Sequence, residues 1–278
     1  QLHCRFERLG WRELKQQPPN RRLTQMATRV LTGLLVALAT SFMVLPDEAT
    51  AQRYGRYDDR RSEQRANVPG NFDYYTLVLS WSPTHCAAQP SKKKDPQCSP
   101  KVGKRPYAFI LHGLWPQYTR GYPERCWTRF KPYVPRRVIN GMLDIMPSTG
   151  LIIHEYKKHG TCSGLKPEGY FSLSRRIFNR IKIPQRYVLP QKPQMVSPDT
   201  LISEFIAANP VLGLQPDMLV VSCGGTGNRL REVRLCMSKD GDPRPCGNNE
   251  SQRRLCNARR MYVPPVRLSA QKPATIRR

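Results

Sequence analysis

The chain has 278 residues, with 46 Lys and Arg against 20 Asp and Glu, for a formal charge of +26. That length allows one well-buried domain without calling for a second. A surplus of positive charge suits a polyanionic partner, with solubility as the plain alternative.

Residues 1–25 are basic without a periodic apolar face, and are set aside as sequence upstream of the true reading start. From Met26 the order is Arg29, an apolar run Val30–Leu45, and Ala49-Thr50-Ala51, a small-x-small cleavage site, so 26–51 reads as a signal peptide. A transmembrane anchor is the alternative, but Thr32, Gly33, Thr40 and Ser41 interrupt a run shorter than the ~20 residues a span needs. Arg21-Arg22 leaves a twin-arginine route open. Either route leads out of the cytoplasm, so the expected location is periplasmic or secreted, with no membrane anchor after cleavage.

Removing 1–51 leaves 227 residues with 39 Lys and Arg against 16 Asp and Glu. Residues 52–70 are charged and poor in aliphatics, and 259–278 are basic with scattered prolines. Both are expected to be flexible basic arms around a folded domain at 71–258. Within it, 72–81 alternates Tyr75, Leu77, Leu79 and Trp81 against Tyr74, Thr76, Val78 and Ser80, which is strand periodicity. Residues 106–112, 218–223 and 229–236 read the same way. Pro135 opens a helical stripe of Val138, Ile139, Met142, Leu143 and Met146. Tyr170, Leu173, Ile177, Phe178 and Ile181 repeat that spacing. Ser197-Pro198 caps a third helix, which Asn209-Pro210 stops. Strands therefore bracket a helical middle without regular alternation, which predicts an α+β fold: a central antiparallel sheet with helices packed around it.

Cys4 falls in the discarded segment, leaving Cys86, Cys98, Cys126, Cys162, Cys223, Cys236, Cys246 and Cys256. An even set in an exported chain reads as four disulfides, with 105 pairings that spacing cannot choose between. No Cys-x-x-Cys or paired Cys/His spacing occurs, so neither metal nor cofactor is expected. The lysine-rich stretch 89–105 reads as a surface loop closed by a disulfide.

Four histidines remain in the mature chain, two of them in HEYKKHGTC, 154–162. On a helix, His154 and Lys158 stack four apart, as do Glu155 and His159, so all four fit within about 140° of arc. The histidines are five apart, not the four of a zinc-protease His-Glu-x-x-His. A solvated helix face is the ordinary reading of such a run. His112 changes that balance, because it ends an otherwise apolar strand and a polar titratable group there needs a reason. Two histidine-bearing segments with a Lys and a Glu form a minimal kit for cleaving RNA. One imidazole takes the 2′-OH proton, another protonates the leaving 5′-oxygen, and cations neutralise the phosphorane. The nucleophile belongs to the substrate, and DNA lacks it.

FILHGLWP (109–116) and HEYKKHGTC (154–162) resemble the two active-site blocks of the ribonuclease T2 family. Supporting similarity lies in YYTLVLSWSPTHC (74–86), Cys126-Trp127, the strand ending at Cys223 and LREVRLC (230–236). The resemblance implies His112 as general acid, His159 as general base, His154 binding phosphate, and Glu155 with Lys158 stabilising the transition state. It also implies a Cys126–Cys162 disulfide. The other pairings, Cys86–Cys98, Cys223–Cys256 and Cys236–Cys246, are assigned without support from spacing. Tyr156 stands where the family usually has Trp, and Gln117 where several members carry an acidic residue that reads adenine, so low base specificity is expected. Trp115 and Tyr118, with Gln117, are the expected base-binding residues, and packing is the ordinary role of the two aromatics. His85 is expected to be structural.

The expected activity is thus an exported, metal-independent endoribonuclease that cleaves single-stranded RNA to 2′,3′-cyclic phosphate ends. It is expected to work as a monomer with no obligatory protein partner. The alternatives are a secreted RNA-binding or cytotoxic-interaction protein without efficient turnover, and a surface binder driven by charge alone.

Overall fold

The computed structural model describes residues 67–89, 95–99 and 106–267. All of these fall in the unit Glu48–Arg278. The expected signal peptide, most of the N-terminal arm, Lys92–Lys94 and the last residues of the chain lie outside the described residues.

Strands β1 (Tyr74–Trp81), β2 (Phe109–Gln117), β3 (Gln194–Val196), β4 (Leu219–Gly224), β5 (Arg229–Met237) and β6 (Met261–Val263) form one sheet. Its centre is antiparallel in the order β2-β1-β5-β4. The antiparallel pair β3–β6 joins β5 through a single parallel register pair, Arg229↔Tyr262. Helices α1 (Ser82–Ala88), α2 (Arg136–Asn140), α3 (Thr149–Lys158), α4 (Pro167–Arg180), α5 (Pro198–Ala208) and α6 (Gln252–Leu255) complete the α+β architecture.

The alternation in β1 has a packing cause. Tyr75, Leu77, Leu79 and Trp81 enter the main core with Ile152 of α3, Tyr170, Leu173 and Ile177 of α4, and Phe205 of α5. The opposite face is covered as well, so every residue of β1 is buried. There the Tyr74 hydroxyl donates to Glu250 Oε2 at 2.6 Å and Thr76 Oγ1 to Glu250 Oε1 at 3.0 Å. Ser148 caps α3, its Oγ accepting from the Leu151 amide. Ser197 caps α5 in the same way through the Thr200 amide.

Three boundaries differ from expectation. The helix opened by Pro135 closes at Gly141, since glycine costs ~1 kcal/mol in a helix interior, and turns carry Met142 and Met146 into the core instead. The C-terminal arm does not start at 259: Met261 and Val263 are buried in β6, and the Trp81 indole donates to Pro264 O at 3.1 Å. At the other end, the Gly70 amide donates to Cys162 O at 2.9 Å, so the last residues of the expected N-terminal arm pack on the domain. Four disulfides form: Cys86–Cys98, Cys126–Cys162, Cys223–Cys256 and Cys236–Cys246. No helix among the described residues is long and apolar enough to cross a membrane.

Candidate active site

β2 continues past His112 to Gln117, so His112 lies within the strand and not at its end. The β1–β2 register passes from Val78↔Gly113 to Leu79↔Leu111 and leaves His112 without a partner, a β-bulge. Leu111 and Leu114, three apart, both enter the core. A regular strand would send one of them outward. The extra residue instead turns His112 toward a cavity of about 430 Å³, the re-aiming that bulges perform beside sites. Across β1, β5 supplies two charged groups: the His112 Nδ1 lies 3.2 Å from Glu232 Oε1, and Arg234 pairs with Glu232 Oε2 at 2.8 Å.

The second half of the site comes from the C-terminal end of α3. Ile152 and Tyr156 bury one side of that helix. His154, Glu155 and Lys158 reach the cavity, joined by His159, which caps the helix. The Cys126–Cys162 disulfide and a 2.7 Å bond from the Arg125 amide to Lys158 O fasten this helix end to the preceding loop. Lys158 Nζ lies 3.4 Å from Glu124 Oε2.

Trp115 links the two halves. Its indole N–H donates to Glu155 Oε2 at 2.7 Å, its ring stacks on His159 at 4.9 Å between centroids, and its edge meets the His112 ring at 5.4 Å. Glu155 Oε1 lies 3.6 Å from His112 Nε2. Gly113 makes this approach possible, because a β-carbon there would run into Glu155 Oε2 and come within 2.7 Å of Trp115 Nε1.

The surroundings set the two imidazoles apart. Burial works against a charged His112, but its hydrogen bond to Glu232 and the charges of Glu155 and Glu232 outweigh it and hold its pKa above the ordinary value. His159 is 4% exposed. Burial, aided by Lys158 and His112, pulls its pKa down to about 3, and its Nδ1 has no hydrogen-bond partner among the described residues. Burial and Lys158 also lower His154. The carboxylates diverge too. Burial pushes Glu155 up to about 7. Burial also acts to raise Glu232, but the His112 hydrogen bond and the Arg234 charge more than reverse it, leaving its pKa below the ordinary value. Glu232 is therefore the standing anion beside His112. One cavity thus holds an imidazole whose protonated form is favoured and another whose neutral form is favoured, a pairing that suits general acid–base chemistry.

The structure brings the five expected catalytic residues together around this cavity, with Trp115 and Gln117. The expected base-binding residues differ in placement. Trp115 lines the cavity, with its ring engaged by His159 and by the Arg234 guanidinium, 5.1 Å from its centroid. Tyr118 packs against the core and does not line the cavity, whereas Tyr122, 53% exposed, does. Sequence reading missed Glu232, Arg234, Asn249 and Arg254. The signal for Glu232 was available: charges inside an otherwise strand-like LREVRLC need a partner. His85 lies apart, 2.8 Å from Asp95 Oδ2. Those two and Cys98 come close enough together to hold a metal ion, but Cys98 is spent in a disulfide.

Fold and site together define a disulfide-stapled α+β protein with two imidazoles of opposite pKa displacement on one cavity. The sequence model of the Ribonuclease T2 family matches residues 72–246. A ribonuclease of Aeromonas hydrophila is 34% identical over 200 residues, which span 69% of this chain and 83% of its own. Ribonuclease I of Escherichia coli K12 is 30% identical over 153 residues, spanning 42% of this chain and 57% of its own. Among solved structures, RNase NT in complex with 5′-AMP superposes with a TM-score of 0.50 at 21% identity, covering 70% of this chain and 99% of that one. The chain belongs to the Ribonuclease T2 family and is an endoribonuclease.

Proposed function

We propose that the protein cleaves single-stranded RNA by internal transfer, with low base specificity and no metal. His159, neutral in its buried setting, accepts the 2′-OH proton as the oxygen attacks phosphorus. His112 donates its proton to the departing 5′-oxygen, leaving a 2′,3′-cyclic phosphate and a free 5′-hydroxyl. His154 and Lys158 bind the phosphate, and Glu155 with Lys158 stabilises the phosphorane. Glu232, itself held by Arg234, orients His112. The single observation that carries this reading is the opposite displacement of two imidazoles on one cavity, His112 upward and His159 down to about 3. Nucleophile, acid and base are thereby all accounted for by substrate and side chains, and no step calls for a metal. Gln117 supports low base specificity, because its Oε1 already accepts from Asn249 Nδ2 at 3.1 Å. One copy supplies every catalytic group, which favours a working monomer. Four disulfides favour export to an oxidising compartment, the periplasm or the medium.

The test is incubation of the purified protein with RNA and with DNA in excess EDTA, with the ends identified by mass spectrometry. The expected result is cyclic phosphate ends from RNA alone. Activity lost to the chelator and restored by Mg²⁺ would overturn metal independence, and RNA binding without cleavage would favour the binding protein.

A further inference from the structure

Every exposed aromatic side chain among the described residues lies in one short stretch: Tyr122, Trp127, Phe130 and Tyr133, with the last three exposed by 76, 83 and 70%. A packing role does not explain such exposure. The same stretch, continued to 137, holds Arg125, Arg129, Lys131, Arg136 and Arg137 against a single acid, Glu124. Arg137 pairs with Glu168, and among the described residues no carboxylate pairs with Arg129, Lys131 or Arg136. Aromatic faces interleaved with unneutralised cations match what single-stranded nucleic acid presents, alternating bases and phosphates.

Position supplies a second line of support. Tyr122 lines the catalytic cavity. Arg125 is close enough for its charge to weigh on both His154 and His159. From there the chain leads to a second cavity of about 520 Å³, lined by Lys131, Tyr133, Arg136, Ile153 and Lys157. The two cavities flank one helix: His154 and Lys158 of α3 face the first, and their neighbours Ile153 and Lys157 face the second. The loop between them is anchored to the helix end by the Cys126–Cys162 disulfide and the Arg125 amide.

We propose that residues 122–137, with Lys157, form a track for the single-stranded RNA flanking the scissile phosphate. Bases stack on Trp127, Phe130 and Tyr133 while phosphates meet Arg125, Arg129, Lys131 and Arg136. The second cavity receives one flanking nucleotide. The track rests on the reading of the protein as a nuclease for single-stranded RNA, and it explains how a polymer is held where a dinucleotide is not.

Two triple variants test it: Trp127→Ala/Phe130→Ala/Tyr133→Ala, and Arg129→Gln/Lys131→Gln/Arg136→Gln. Phe130→Ala alone, at the most exposed of the aromatics, guards against a misfolded triple. Each is assayed on long RNA and on a dinucleotide, and each is titrated with a labelled 2′-O-methyl oligonucleotide, which binds but cannot react. The aromatic triple should raise KM for long RNA by about tenfold or more, from stacking lost at several bases. The charge triple should reduce the log–log salt slope by about 2, at ~0.7 per phosphate. Dinucleotide kcat should stay unchanged in both, because the reacting groups are untouched. Unaltered KM and unaltered oligonucleotide affinity in both triples would overturn the track and point to a protein partner or a membrane for these aromatics. Equal losses on the dinucleotide would also overturn it, by showing that the segment supports the catalytic site. If wild type failed to cleave either substrate, the nuclease reading would fall, while the oligonucleotide titration would still decide the track.

Discussion

The two imidazoles proposed as acid and base sit in one cavity under opposite conditions. His112, with 30% of its side chain exposed, faces two carboxylates. His159, 4% exposed, faces cations, and its Nδ1 has no partner among the described residues. In the proposed mechanism one residue type thus serves as acid on β2 and as base at the end of α3. The fold decides which, by what it packs around each ring: Glu232 reaches His112 from β5 across the bulge, whereas Lys158 and Arg125 gather at the helix end around His159. Separation of two like groups by environment is how acid and base roles are assigned at a single pH.

The sharpest way to break the contrast is to remove either ring. His112→Ala and His159→Ala should each lower kcat by at least the ~10²–10⁴ expected for a lost general acid or base. His85→Ala should leave kcat unchanged, since His85 pairs with Asp95 and neither lines the catalytic cavity. Steady-state rates with a thermal melt of each variant check this. A loss at His85 as large as the other two would mean that the acid and base are misassigned.

A smaller effect comes from the junction between the two halves. Gly113→Ala places a β-carbon against Glu155 Oε2 and near Trp115 Nε1. Because Trp115 stacks on His159 and Glu155 lies beside His112, one methyl displaces both corners together. Overpacking of this kind costs about 1–3 kcal/mol of stability, so a lower melting temperature should accompany a drop in kcat. A variant with unchanged rate and melting would show that the Trp115–Glu155 bridge has slack and that the two rings are held independently.

Much of this site was legible because its parts are local. The HEYKKHGTC run carries its own helical spacing, and β1 announces its core face through Tyr75, Leu77, Leu79 and Trp81. The bulge was not legible: a register slip at His112 depends on how β1 pairs with β2, and FILH read alone looks like a strand that ends. The charge of Glu232 in a strand-like run signalled a partner but could not name it, since its contact with His112 spans 120 residues of sequence and exists only once β1 lies between them. Short β6 was missed because three residues with Pro264 and Pro265 after them carry too little periodicity to separate from a basic tail. Sequence also cannot show that Arg234 and His159 engage the Trp115 ring.

The mildest change sharpens the comparison most. Glu232→Gln keeps the shape beside His112 and removes the anion that raises its pKa. His112 must be protonated to act as the acid, so activity is present below its pKa and falls as pH rises through it. The upward shift moves that alkaline limb toward higher pH in wild type than an ordinary imidazole would give. Without the Glu232 charge, burial and Arg234 still disfavour the imidazolium and Glu155 alone favours it, so the limb should move to lower pH. The acidic limb, governed in the free enzyme by His159 with a pKa of about 3, should stay in place because Glu232 is not among the groups acting on that ring. A kcat/KM profile against pH reads both limbs in one experiment. Movement of the alkaline limb alone assigns Glu232 to positioning the acid. A uniform loss of rate with neither limb displaced would reduce it to a structural anchor for Arg234, and the contrast between the two imidazoles would then have to arise from Glu155 alone.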